Sequence, residues 1–85
     1  MYKELAIDKE IEVVKTIIEL QNYVFTSINS MMECVEENTK EYSKFLGYMM
    51  GNNYDEIVIM WENMTANVLF KREDEHTYRI IFAYL

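Results

Sequence analysis

The sequence predicts an α+β fold: a two-helix antiparallel hairpin followed by a three-stranded antiparallel β-meander, in a single domain spanning residues 1–85. Three observations lead there. From Ile7 to Met49, apolar residues recur at every third or fourth position, the period of an amphipathic helix. From Ile57 onward they fall into short β-branched and aromatic runs. Between the two, Gly51-Asn52-Asn53 reads as a stop, with glycine just past a helix end and turn residues after it. A competing architecture, mostly α and coiled-coil-like, rests on the same helical row, whose 4-3-4-3 spacing passes Ile28 without a break.

The first helix is expected over residues 8–25, with Asp8 as N-cap and Ile11, Val14, Ile18, Gln21 and Phe25 along its buried line. Thr26-Ser27-Ile28-Asn29-Ser30 is poor in helix formers and rich in side chains that bond their own backbone, which predicts a loop. Ser30 with Glu33 three residues on has the form of a capping box and opens a second helix at 31–50. Met32, Val35, Thr39, Tyr42, Leu46 and Met49 continue the buried line. Strands are expected at 56–61, 67–72 and 77–84, joined by polar connectors of hairpin length at 62–65 and 73–76. A helix over 54–66, capped by Asn53 with Glu56, competes for the first strand.

Composition narrows the function classes. A net charge of −7 opposes nucleic-acid binding, which needs a basic surface to displace counterions, and it opposes docking on an anionic membrane. The charge is spread evenly, with five acids and three bases in residues 1–30, four and two in 31–50, and six and three in 51–85. No acidic tail and no charge-marked domain boundary follow. The longest apolar run, Ile80 to Leu85, has six residues, far below the roughly 20 of a membrane helix. Met1-Tyr2-Lys3-Glu4-Leu5 lacks the layout of a signal peptide, and the lone Cys34 forbids an internal disulfide, so a cytoplasmic setting is expected. The wealth of Phe, Tyr, Met, Ile, Asn and Lys beside scarce Gly, Ala, Arg and Pro is what AT-rich codons produce, as in low-GC bacteria, their phages and plasmids, or archaeal viruses.

Candidates for chemistry are few. His76 falls in a predicted loop, and nothing local pairs it with Cys34, expected on a helix as a packed thiol. No Cys/His pair has metal-ligand spacing, and Glu73-Asp74-Glu75 reads as a solvated hairpin tip. Two glycines cannot build a phosphate loop. No catalytic, cofactor or metal site is therefore expected.

Binding is better served. Glu33, Glu37 and Glu41 at i, i+4 and i+8 form an acidic line with about 6 Å between carboxylates along the helix axis, close to the spacing of nucleic-acid phosphates. The last strand is apolar on both sides, with Tyr78, Ile80, Phe82 and Tyr84 against Arg79, Ile81, Ala83 and Leu85. Two helices can cover one face, which predicts a second subunit or another protein on the other, unless the helices clasp both faces or the sheet curls to hide its back. The edge of that strand carries no Pro or inward Lys to block pairing. The expected partner-binding residues are Glu33, Glu37, Glu41, Asp55 and Glu56, with Trp61, Tyr78, Phe82 and Tyr84 as apolar anchors. The expected partners are a second copy of the chain, a larger protein with a basic surface, or both. The function expected is a non-enzymatic protein-interaction module, a small acidic inhibitor or adaptor of a phage, virus or mobile element. Its target would be a nucleic-acid enzyme, in the manner of anti-restriction or anti-CRISPR proteins. The alternative is a structural protein that self-associates through its helices.

Overall fold

The computed structural model describes residues 7–52 and 55–85. Helix α1 (Ile7–Ile18) runs on into a 3-10 turn (Glu19–Asn22), and α2 (Ile28–Thr39) follows. Four strands come next: β1 (Phe45–Met50), β2 (Glu56–Trp61), β3 (Thr65–Asp74) and β4 (Thr77–Tyr84). They form one antiparallel sheet in the order β1-β2-β3-β4. The α+β class is as expected, and the detail differs. The meander has four strands, and neither the coiled-coil alternative nor a helix over 54–66 is present, since β2 occupies part of that span.

The predicted second helix, 31–50, stops at Thr39. Its carbonyl accepts the N–H groups of both Tyr42 and Ser43, a tight turn that redirects the chain into β1. Phe45–Met50 is apolar at every position but Gly47, so it satisfies a helical period and a strand equally well. Gly51-Asn52 belongs to the β1–β2 connection, where the Gly51 N–H donates to the Glu56 carbonyl at 2.7 Å. Asn53, the third residue of the supposed stop, lies outside the described residues, as do residues 1–6 with the Met1–Leu5 start.

The helix starts also shift. Ser27, not Ser30, is the N-cap of α2: its Oγ accepts the Ser30 N–H at 3.0 Å, while the Ser30 Oγ accepts the Ser27 N–H at 3.2 Å. This serine pair closes the cap one turn before Glu33 and brings Ile28 into the helix, packed against the core. Along α1 and its 3-10 turn the buried line is Val13, Ile17 and Leu20, while of the expected line Phe25 is buried, Val14 and Ile18 are half-buried against the core and Ile11 is 44% exposed. Val13-Val14 and Ile17-Ile18 are adjacent apolar pairs, so spacing alone fits either phase, and the apolar Leu20 beside polar Gln21 decides between them.

One contiguous core joins these lines to a single face of the sheet. Val13, Ile17, Met31, Met32 and Val35 from the helices meet Ile57, Ile59, Trp61, Ala66, Val68, Phe70, Ile80 and Ala83 from the strands. Both helices thus cover the same face. In β4 the register slips between Leu69 and Phe70, so that Leu69 faces Phe82 while Phe70 faces Ile80, and Ile81 is the extra residue of a bulge. The bulge splits the expected alternation. Tyr78, Ile80 and Ala83 share the helix-side face, and Phe82 and Tyr84 turn to the other.

The two sheet edges differ. Along β4, Phe25 and Tyr78 exchange both backbone hydrogen bonds (2.9 and 2.8 Å), and the Gln21 side-chain amide donates to the Ile81 carbonyl. The expected strand addition along β4 therefore meets an edge already occupied at these two residues. Along β1, no backbone pairing on the outer side is seen among the described residues.

Candidate interaction surface

The outward face of the sheet is built from the residues that alternate with the core. Met49, Val58, Asn67 and Tyr84 form one row across all four strands. Glu56, Leu69 and Phe82 form the next, and Gly47, Met60 and Thr65 lie on the other side. Met49 is 54% exposed, Phe82 47% and Tyr84 37%, and Val58, Met60 and Leu69 are half-buried. The rings of Phe82 and Tyr84 stack with centroids 6.5 Å apart. At the margin, the bulge in β1 leaves Leu46 61% exposed. A face with this much open apolar side chain is unusual on an isolated soluble domain.

Glu56 is the one carboxylate in these rows, and it is tied down. The Tyr84 hydroxyl donates to its Oε2 at 2.6 Å across β3, a bond that raises the Tyr84 pKa because it favours the protonated phenol. The bond holds the Glu56 carboxylate, still charged, against the Tyr84 hydroxyl at the margin of the apolar rows.

The other expected residues are scattered. Trp61 is 3% exposed, and its indole Nε1 donates to the Thr39 Oγ1 inside the core, so it is closed to a partner. Tyr78 is half-buried on the helix side, near Phe70 (centroids 6.1 Å apart) and under the Arg72 guanidinium. Tyr78 and Asp55 line a cleft of about 340 Å³ with Ile28, Met50, Phe70 and Arg72, away from the outward rows. The acidic line is shortened: Glu33 and Glu37 are exposed on α2, but Glu41 lies in the turn beyond Thr39 and leaves their helical row. Glu37 is engaged by Lys40 at 2.7 Å, and this bond raises the lysine pKa.

Comparisons with protein-family models, with curated proteins and with solved structures each return no match.

Neither candidate nucleophile is poised. Burial pushes the Cys34 thiol pKa up, against a smaller opposing effect of its contact with Asn38, and this lowers the thiolate fraction. His76 is exposed in the β3–β4 turn. Glu73 pairs with Arg79, and Asp74 accepts the His76 N–H at 2.8 Å, so these acids serve the hairpin. Among the described residues no three His, Cys, Asp or Glu groups converge as metal ligands, and no helix is long and apolar enough to cross a membrane.

Of the expected binding residues, Phe82, Tyr84 and Glu56 lie in the outward rows. Met49 and Leu69 join them and Leu46 borders them; the spacing of Leu46 and Met49 fits a helix, and the pattern of 67–72 leaves the facing of Leu69 open. The doubly apolar patterns of β2 and β4 were the signal that pointed to this face.

Proposed function

We propose that this chain is a non-catalytic protein-interaction module that works through the outward face of its sheet, and that this face closes against the same face of a second copy. The observation that carries the reading is the set of apolar side chains across all four strands with no helix over them among the described residues. Four strands about 4.8 Å apart, each about six residues long, span roughly 400 Å² in projection. Two corrugated faces of that size bury about 1,000–1,200 Å², the lower end of what a specific interface needs. Within these rows the only charge is the Glu56 carboxylate, held by Tyr84, with Lys71 and Arg79 beyond it at the hairpin end, so the contact is mainly apolar. The same patch on both partners gives a closed two-fold pair.

In such a pair the helix layers, with Glu33 and Glu37, point away on both sides. That arrangement suits an inhibitor or adaptor that meets a larger protein through a basic surface. The low thiolate content of Cys34 and the exposed position of His76 favour binding over catalysis.

Sedimentation tests the reading. The parent chain is expected to dimerise reversibly at tens of micromolar, and Phe82→Asp to be monomeric there with an unchanged circular-dichroism spectrum. A parent chain that stays monomeric at millimolar concentration sinks it.

A further inference from the structure

The β1 edge offers a second, separate surface. The Gly51 N–H bonds the Glu56 carbonyl, so by the alternation of an antiparallel ladder Tyr48 and Met50 direct their N–H and C=O groups away from β2. Among the described residues nothing meets those groups. The strand carries no charge, Pro or Lys to discourage pairing, and its bulge at Leu46–Gly47 confines the free stretch to Tyr48–Met50.

The neighbouring helix supplies the selectivity. The Tyr48 hydroxyl bonds the Asn29 side chain, which places that flank of α2 beside the β1 edge. Glu33 and Glu36, at i+4 and i+7 from Asn29, share the flank and are exposed. Lys40 is also near this flank, but its ammonium is held by Glu37. On the outward side the edge is bordered by Met49 and Leu46.

We infer that the β1 edge accepts an extended segment of a partner protein as a fifth strand, with basic side chains on the helix side and apolar ones on the outward side. The basic side chains meet Glu33, Glu36 and the Tyr48 ring, and the apolar ones extend the row of Met49. Charge selects this occupant over a second copy. Antiparallel β1–β1 pairing would set two acidic α2 flanks against each other, and β1 has no base to offset them. The inference goes beyond the face-to-face pairing and is independent of it, since the edge lies at the side of the sheet.

The probe is a fluorescent seven-residue peptide alternating lysine and valine, in two isomers N-methylated at either the lysine or the valine amides. Charge and composition are identical, so non-specific attraction treats both alike. Residues opposite Tyr48 share its facing, so in an antiparallel fifth strand the lysine N–H groups point at β1. Methylating those should weaken binding about tenfold or more relative to methylating the valines. Amide exchange at Tyr48 and Met50 should slow when the tolerated peptide binds, and Glu33→Gln with Glu36→Gln should weaken it about tenfold. Equal binding of both isomers, no added protection at Tyr48 and Met50, or no binding at millimolar peptide overturns the proposal. So does protection of those amides without peptide that rises with protein concentration, since a second copy then holds the edge. Running the titration on Phe82→Asp as well separates this outcome from that of the face: loss of the dimer there should leave peptide binding intact.

Discussion

Thr39 and Trp61 meet in the middle of the core. The Thr39 Oγ1 donates to the Val35 carbonyl at 2.8 Å and accepts the Trp61 indole N–H at 3.0 Å, with both residues buried. One hydroxyl thereby satisfies a polar group that the largest side chain of the core would otherwise bury unpaired. Thr39→Val keeps the shape and removes the acceptor, so unfolding in urea should show a loss of about 1–3 kcal/mol, while Thr39→Ser should recover most of it. Equal stability of the valine variant and the parent would show that the indole bond contributes nothing. Thr39 was legible as the odd polar residue in an apolar helical row. Its partner was not, because nothing in a sequence sets Trp61 opposite it, and Trp61 alone reads as a surface anchor. Phe82 and Tyr84 were legible for the opposite reason: aromatic residues on a strand of doubly apolar pattern leave one face unpartnered.

Elements were legible where local chemistry and period agreed. β2 and β4 fall on 56–61 and 77–84 as expected, since β-branched and aromatic runs bounded by polar turns favour strands, over 56–61 against the competing helix at 54–66. β1 was lost because an unbroken apolar stretch carries no period, and the α1 face was lost because adjacent apolar pairs carry two. The β4 bulge has no local signature, yet it decides which aromatics face outward. The β3–β4 turn was read as a solvated tip, and its acids have local work. Asp74 Oδ1 accepts the His76 N–H, and this bond holds the carboxyl pKa below its ordinary value of 3.8. A depressed carboxyl stabilises the folded hairpin above its unfolded pKa, and that contribution is lost as pH falls through the lower, folded value. The Asp74 side-chain carboxyl carbon resonance should therefore titrate below the ordinary aspartate range, and the His76 amide should show an acid step at the same pH that Asp74→Asn, which keeps an acceptor oxygen, removes. A His76 amide that titrates in the asparagine variant as in the parent would detach this effect from Asp74.

At the scale of the molecule, charge and oil are segregated. The net charge of −7 comes from acids on the helices, the turns and the hairpin tip, while the outward sheet face keeps one carboxylate, bonded to Tyr84. Two such bodies repel at long range and attract on contact. The repulsion reaches about 30 Å at 0.01 M salt and about 10 Å at 0.1 M, whereas the contact between apolar faces needs no counter-charge. Added salt should then tighten the self-association: raising sodium chloride from about 20 to about 500 mM should lower the dimer dissociation constant several-fold in sedimentation equilibrium. A basic strand on the β1 edge should respond in the opposite sense, because there the attraction itself is ionic. The two signs assign the two surfaces without any mutation. A dimer loosened by salt would mean that paired charges, not the apolar rows of the outward face, hold it together.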